Sequence, residues 1–197
     1  MTSAFTGHIA GLGTDSGVRI VVGAWDESPF GPFADVMIER ADGHRILVAP
    51  RSSIAHFVAS TYSFDEVRIE PVSVEQGEEW SVHTRSIQLR FTPGGRLWVA
   101  PLLGLVPAPL RRSASWARVC NPVAGRFMPG VQTYGSAGLG RTEWYAARDV
   151  RHVVGARATW EGQELGELAP VTPPVRFGFA SAPAQPTLTA LTSYVRE

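Results

Sequence analysis

Two stretches near the middle of the chain decide the fold: EVRIEPVSVE at residues 66–75 and WSVHTRSIQLRF at residues 80–91. In both, apolar and polar residues alternate, which is typical of a half-buried β-strand. The apolar positions change parity within each stretch, near Pro71 in the first and near Thr84 in the second. A change of phase without a turn predicts a bulge or a sharp bend. Because bulges let long strands coil, these stretches predict a closed β-barrel or a strongly curved sheet.

Similar strand patterns recur on both sides of these stretches, with turn residues between them. They cover residues 18–24, 34–39, 45–49, 96–99, 141–145, 151–160, 175–179 and 187–195. Tight reversals are predicted at Asp42-Gly43, Pro93-Gly94-Gly95 and Glu161-Gly162-Gln163. No repeat or change of composition divides the chain. Residues 1–197 are therefore predicted to form one mainly β (β-rich α+β) domain with a single antiparallel sheet.

Two short helices complete the predicted fold. Ser52 or Ser53 can cap the first helix, and Ser113 can cap the second. Apolar residues follow helical spacing in both, at Ile54, Phe57, Val58 and Thr61 and at Trp116, Val119, Cys120, Val123 and Phe127. Pro122 should break the second helix.

The composition excludes several kinds of chemistry. The chain has eighteen basic residues, all arginine, and no lysine. It therefore cannot form an internal Schiff base, anchor pyridoxal phosphate or complete a P-loop. The single Cys120 excludes an internal disulfide and a thiolate metal cluster. The five histidines lack metal-ligand spacing. We expect neither a metal nor a cofactor.

Charge and hydropathy indicate where the protein works. The net charge is zero, so we expect no attraction to nucleic acid or to a membrane surface. No secretory signal is apparent at Met1, which favours the cytoplasm. The apolar run at residues 97–110 contains three prolines and is too short to span a bilayer, so it is predicted to lie in the core or in a pocket wall.

The charges are unevenly distributed along the chain. Residues 64–79 contain six acids and one arginine, whereas residues 110–157 contain eight arginines and two acids. Solvated faces are the ordinary explanation of such runs. The alternatives are an anion site in the second half of the chain or head-to-tail self-association, which would make a homo-oligomer.

The strand pattern at residues 141–145 carries the strongest candidate site. A period of two places Arg141, Glu143 and Tyr145 on one face and Trp144 on the core side. A guanidinium, a carboxyl and a phenol together can hold a carboxylate ligand or move a proton. Tyr134, ten residues before Trp144, is a further ligand-binding candidate. If the same face meets solvent, these residues form an ordinary surface ion pair.

Other candidate residues lie outside this strand. His152 follows Asp149 and Arg151 and is a candidate acid or base beside Glu143. Residues 25–35, WDESPFGPFAD, can cover the mouth of a barrel and line it with rings, which makes Trp25 and Phe30 ligand-binding candidates. Residues 23–25 also match the G-x-W that opens lipocalins, but at the end of a strand pattern rather than its start, and chance alone yields roughly half an occurrence per chain of this composition.

Residues 28–39, SPFGPFADVMIE, resemble the Gly-Pro-aromatic-x-acid segment of acetoacetate-decarboxylase-like barrels. The resemblance covers about a tenth of the chain and implies a barrel with a pocket. It does not extend to that family's imine reaction, because the required lysine is missing. The family's arginine and glutamate chemistry would fall to Arg141 and Glu143, which no shared motif aligns.

The sequence therefore predicts a barrel that binds a small, partly apolar organic acid. One alternative is a lysine-independent enzyme on the same barrel, using Glu143 or His152 as acid or base. The other is an interaction protein that uses its acidic and basic sides.

Overall fold

The computed structural model describes residues 1–127, 131–178 and 182–197. The protein is mainly β, with 50% strand and 19% helix. The strands are β1 (Thr2–Thr14), β2 (Arg19–Glu27), β3 (Phe33–Glu39), β4 (Arg45–Ala49), β5 (Glu66–Ile69), β6 (Ser73–Glu75), β7 (Trp80–His83), β8 (Ile87–Arg96), β9 (Tyr134–Ser136), β10 (Thr142–Trp160), β11 (Gln163–Ala169) and β12 (Thr187–Arg196). The described helices are α1 (Ser52–Thr61), α2 (Ala100–Leu105), α3 (Ala108–Arg111) and α4 (Ala114–Phe127).

The described strands form one large sheet. Its order is β5-β4-β3-β2-β1-β11-β10-β8-β7-β6, with β9 paired to β10 and β12 paired to both β1 and β10. Strands β1, β11, β10 and β12 thereby close a ring of hydrogen-bonded pairs. The sheet is antiparallel except for the pair β4 and β5, which is parallel. The sheet is thus mainly antiparallel, as the sequence predicts, and the parallel pair occurs at this edge because α1 lies between β4 and β5 and returns the chain in the same direction.

Both faces of the sheet carry buried side chains. On one face, Ile20 and Val36 pack in the same cluster as Trp80 and Leu89, which come from the other end of the strand order. The sheet therefore curves around this first cluster. On the other face, Met37 and its neighbours pack against α1 in a second cluster. We call these the first and second faces of the sheet.

The chain between β8 and β9 holds α2, α3 and α4, and α2 and α4 pack against β10. Ser113 Oγ accepts a hydrogen bond from the Trp116 amide at 3.1 Å, as expected for a helix cap. Helix α4 continues through Pro122, so the predicted break there is wrong. Val119 is exposed and does not form part of a buried stripe. The side chains of Val123 and Phe127 lie outside the described part of the chain.

Several other details differ from the prediction. The phase changes are not bulges, since residues 66–75 divide into β5 and β6, and residues 80–91 divide into β7 and β8. The chain reverses between β7 and β8, which pair with each other, whereas β5 and β6 lie at opposite ends of the strand order. The parity of the apolar positions does not distinguish such breaks from a bulge. Pro93-Gly94-Gly95 lies inside β8 rather than in a hairpin, opposite an irregular part of β10.

The apolar run at residues 97–110 is another correction. Its composition predicts a place in the core or a pocket wall, but Trp98, Leu102 and Leu105 are exposed on α2 and its flanks. Only Leu97 and Ala100 of this run are buried. Within the described residues, no helix has the length and apolar character needed to cross a membrane.

Candidate ligand-binding cavity

A cavity lies between helix α1 and the second face of the sheet. It offers about 70 Å³ to the centres of water-sized molecules, which is room for roughly five waters. Its walls are mainly aromatic and aliphatic, and the aromatic residues Phe5, Trp25, Phe33 and Phe57 are among them. Its polar side chains are Asp35, Thr61, Tyr62, Glu143, Tyr145 and Ser193.

The register of three strands brings the far wall together. Tyr145 of β10 pairs with Ser193 of β12, which in turn pairs with Phe5 of β1. Glu143, two residues before Tyr145, pairs with Val195 of β12. Since alternate residues of a strand share a face, all five of these side chains point to the α1 side of the sheet.

Glu143 lies at the centre of a hydrogen-bond network and is only 1% exposed. The Tyr62 hydroxyl donates to its carboxyl at 2.8 Å, and Ser193 Oγ donates to Oε1 at 2.8 Å. Tyr145 also hydrogen-bonds this carboxyl. Burial raises the pKa of Glu143, and these donors oppose the rise. Glu143 is thus a firmly held acceptor whose oxygens already have partners.

The two phenols beside Glu143 remain protonated at any physiological pH. Burial, followed by the nearby Glu143 charge, raises the pKa of Tyr62 well above its usual value. The pKa of Tyr145 is raised for the same two reasons. These hydroxyls can donate hydrogen bonds but cannot supply a phenolate.

Asp35 is a second buried carboxyl in the same cavity, with 2% of its surface exposed. Trp25 Nε1 donates to Asp35 Oδ1 at 3.1 Å. Asp35 Oδ2 is buried and has no hydrogen-bond partner among the described residues. Burial raises the pKa of Asp35 to about 7, against the lowering effect of the Trp25 hydrogen bond. Asp35 therefore changes its charge near neutral pH.

Arg141 precedes β10 and is directed to the end of α1. Its Nη1 donates to Ser60 Oγ at 2.8 Å and to Thr61 Oγ1 at 3.1 Å. Its guanidinium lies 5.4 Å from the centre of the Phe57 ring. Arg141 is not among the residues that line the cavity. It fixes α1 over the sheet beside Glu143 and Tyr145.

Trp25 and Phe30 belong to one aromatic cluster at the cavity. Trp25 lines the cavity, whereas Phe30 supports it from outside through Phe5, Phe33 and Phe57, with ring centres 5.4–6.4 Å apart. Trp25 and Phe30 come from the 25–35 segment, but the space beside them lies under α1, not at the mouth of a barrel.

His152 and Tyr134 lie elsewhere. His152 is half-buried on β10 opposite Thr187, nine residues beyond Glu143, and does not line the cavity. Tyr134 is on β9 opposite Trp144, with the Arg118 guanidinium 5.8 Å from its ring centre. The structure therefore brings Glu143, Tyr145 and Trp25 together and leaves His152 and Tyr134 apart from them.

Sequence reasoning missed Asp35, Tyr62 and Ser193 as site residues. Asp35 carried a signal, because it is an acid inside an otherwise apolar strand pattern at residues 34–38. Tyr62 and Ser193 carried none, since a tyrosine after a helix and a serine in a strand are ordinary.

The cavity combines a mostly apolar lining with one carboxyl, Asp35, that can exchange a proton near neutral pH. Among the described residues, no group of three His, Cys, Asp or Glu side chains could hold a metal ion. Any ligand must also satisfy the free oxygen of Asp35, because a buried unpaired acceptor costs free energy.

Comparisons with known proteins do not assign this chain to a family. No protein-family model matches it, and no curated protein matches it in sequence. A crystal structure from Nitrosomonas europaea, provisionally described as AttH, matches with a TM-score of 0.31 and 10% identity. The match covers 98% of this chain and 50% of that one, so the chain spans about half the length of that protein. Similarity at this level supports no conclusion about function.

Proposed function

We propose that the protein binds a small, mostly apolar organic molecule in the cavity under α1. One observation carries the proposal: an aromatic cavity encloses the Asp35 carboxyl, whose Oδ2 is buried without a partner among the described residues. A ligand with a hydrogen-bond donor would satisfy that oxygen while its apolar part contacts the rings.

The chemistry of the lining favours an amine over an acid. The cavity has two carboxyls and no cationic side chain among its lining residues. An ammonium group would pair with ionised Asp35 and contact the electron-rich faces of Trp25 and Phe33. The organic acid that the sequence predicts would need Arg141 to leave Ser60 and Thr61 and turn into the cavity. It is the alternative ligand class.

A second candidate function is acid/base catalysis, and the pKa of Asp35 favours it. A carboxyl with a pKa of about 7 can both give and take a proton near neutral pH. Asp35 suits this role better than Glu143, whose oxygens already accept hydrogen bonds from Tyr62 and Ser193. Any such reaction would proceed without an imine.

We infer further that the scaffold acts as a barrel. Side chains at β5, one end of the strand order, bond to residues between β7 and β8 and just after β10. Arg68 of β5 donates to Ser86 and Glu161, at 3.1 and 2.6 Å, and Glu70 accepts from the Ser86 amide at 3.0 Å. These bonds support closure of the sheet around the first cluster, which would hold α1 and the cavity rigidly on its outside.

A matched ligand series tests the proposed function. Phenethylamine, 2-phenylethanol and phenylacetate share one skeleton and differ in the polar group. Calorimetric titration at pH 7.5 should show that the amine binds most tightly. Asp35→Asn should weaken the amine roughly tenfold or more, because it removes a charge-assisted hydrogen bond. It should change the binding of the alcohol less.

Arg141→Ala is the control that separates the two ligand classes. If the protein still folds as judged by circular dichroism, it should affect the amine and the alcohol alike, because Arg141 anchors α1 but does not line the cavity. Phenylacetate as the tightest ligand, with binding lost in Arg141→Ala, would support the organic acid instead. No binding by any of the three would count against this cavity as a ligand site.

A further inference from the structure

A polar cleft lies on the first face of the ring strands, opposite the cavity. Thr6 of β1, Thr192 of β12 and Ala146 of β10 form its floor, since Thr192 pairs with both of the others. Each is the chain neighbour of a cavity residue, and a strand turns neighbouring side chains to opposite faces. The sheet therefore separates the cleft from the cavity.

Three arginines border this floor. Arg111 and Arg112 come from the end of α3, and Arg148 comes from β10. Glu27, at the end of β2, is the acid that lines the cleft. The cleft offers about 220 Å³ to the centres of water-sized molecules. It carries an excess of positive charge.

Two of the three guanidiniums, those of Arg111 and Arg148, are held by backbone carbonyls, and none of the three is neutralised. Arg111 Nη1 donates to the Leu103 carbonyl at 3.2 Å, and Arg148 Nη2 donates to the Leu191 carbonyl at 3.4 Å. Arg112 is anchored through its backbone, whose carbonyl accepts from Trp144 Nε1 at 3.0 Å. In the described ranges, no carboxylate lies within ion-pair distance of any of the three, in contrast to Arg19, Arg45 and Arg68. Each guanidinium has five N–H groups, so donors remain for a ligand.

The floor adds a further donor. The hydroxyls of Thr6 and Thr192 are 3.2 Å apart and share one hydrogen bond. Whichever hydroxyl accepts in that bond keeps its own proton for another partner. Arginine forks with a hydroxyl donor are the groups that recognise the oxygens of a phosphate.

We propose that this cleft binds a phosphate group. Its volume leaves room for the group that carries the phosphate. Glu27 opposes the anion and limits the affinity, since like charges repel. The site is independent of the cavity ligand, and either can fail without the other.

The phosphate can belong to a free phosphate ester or to a lipid headgroup. The lipid source has support from the same chain segment, where Trp98, Leu102 and Leu105 are exposed. Residues 80–142 contain no acid at all, so an anionic surface would meet no repulsion from this segment. An experiment with two arms distinguishes the sources.

In the first arm, inorganic phosphate and glycerol 3-phosphate are titrated separately into the protein at low ionic strength, and calorimetry measures their binding. Arg112→Gln and Arg148→Gln should each weaken binding roughly tenfold. Glu27→Gln should strengthen it. Arg85→Gln, at an exposed arginine outside the cleft, is the matched control and should have no effect. Equal losses in Arg85→Gln and Arg112→Gln would overturn the proposal, because they would indicate nonspecific charge attraction.

The second arm sediments the protein with phosphatidylcholine vesicles, with and without phosphatidylglycerol. If the phosphate is a lipid headgroup, only the anionic vesicles should carry the protein down, and Arg112→Gln and Leu105→Asp should both reduce the bound fraction. Binding of soluble phosphates without vesicle binding assigns the cleft to a free phosphate ester. Absence of binding in both arms would overturn the proposal.

Discussion

Replacing Asp35 by asparagine should stabilise the protein above neutral pH. The substitution is informative because the asparagine amide keeps an acceptor oxygen for Trp25 Nε1, which now donates to Asp35 Oδ1 at 3.1 Å. It removes the titrating charge from a side chain that is 2% exposed and puts an amide NH2 at the position of Oδ2, a change that does not depend on pH.

The magnitude follows from the difference between the folded and unfolded pKa of Asp35. Burial raises the pKa from the ordinary value of 3.8 to about 7 in the folded protein. Below pH 3.8 both states are protonated, so the carboxyl has no effect on the free energy of unfolding. Between these values only the unfolded state loses its proton, and stability falls by about 1.4 kcal/mol per pH unit. The total loss is about 4 kcal/mol by pH 7 and is constant above it.

Urea unfolding of wild type and Asp35→Asn from pH 4 to pH 8 measures this effect. The two proteins should differ little near pH 4, and the variant should gain relative stability up to about pH 7. The raised pKa of Glu143 acts with the same sign and remains in both proteins, so the difference between them isolates Asp35. A constant difference across this range, or a variant that is less stable at pH 8, would refute the reasoning.

Three further substitutions test the packing around the sites. Trp144 is buried against Tyr194, with 5.2 Å between ring centres. Trp144→Ala should therefore lower the unfolding free energy by about 3–5 kcal/mol, whereas Thr142→Ala should lower it little. Equal urea midpoints for the two variants would contradict this. Arg19 Nη2 lies 3.1 Å from Glu39 Oε1, and both side chains are buried. Glu39→Gln should therefore lower the unfolding free energy by about 3–5 kcal/mol, because it leaves Arg19 without a counter-charge. An unchanged thermal unfolding temperature would be inconsistent with that pairing. Gly23→Ala should abolish amine binding in calorimetry, since the new Cβ would lie 2.6 Å from Asp35 Oδ1 and 2.7 Å from Trp25 Nε1 and would force these side chains to move. Retained affinity in a variant that folds by circular dichroism would argue against the site.

The predominance of strands could be predicted from alternation, but the first strand could not. Residues 2–14 contain Gly7, Gly11 and Gly13 and show no strong strand pattern. In the structure, a side chain at Gly7 would collide with the backbone of Ala24, so this glycine permits close contact between β1 and β2. Such a contact exists only once the two strands are paired, and a single sequence does not contain it.

The alternation at residues 141–145 placed the side chains correctly on two faces, yet it could not define the cavity. The strand period puts Glu143 and Tyr145 on one side and Trp144 on the other, as observed. It says nothing about which helix covers that side. The partners Tyr62 and Ser193 are 81 and 50 residues from Glu143 in the chain, and only the tertiary fold brings them to it.

The separation of the two candidate sites by one layer of backbone explains the charge that each would select. Ser193 and Thr192 are consecutive, yet one faces two buried carboxyls and the other faces three arginines. The arginines do not offset the cavity charge, because burial dominates the pKa of Asp35 and its other influence is Trp25. Under the proposed function, a cavity ligand pairs with ionised Asp35 through a donor or a positive charge, or accepts a hydrogen bond from its protonated form. If both proposals hold, the same sheet binds a cationic group on one face and an anionic group on the other.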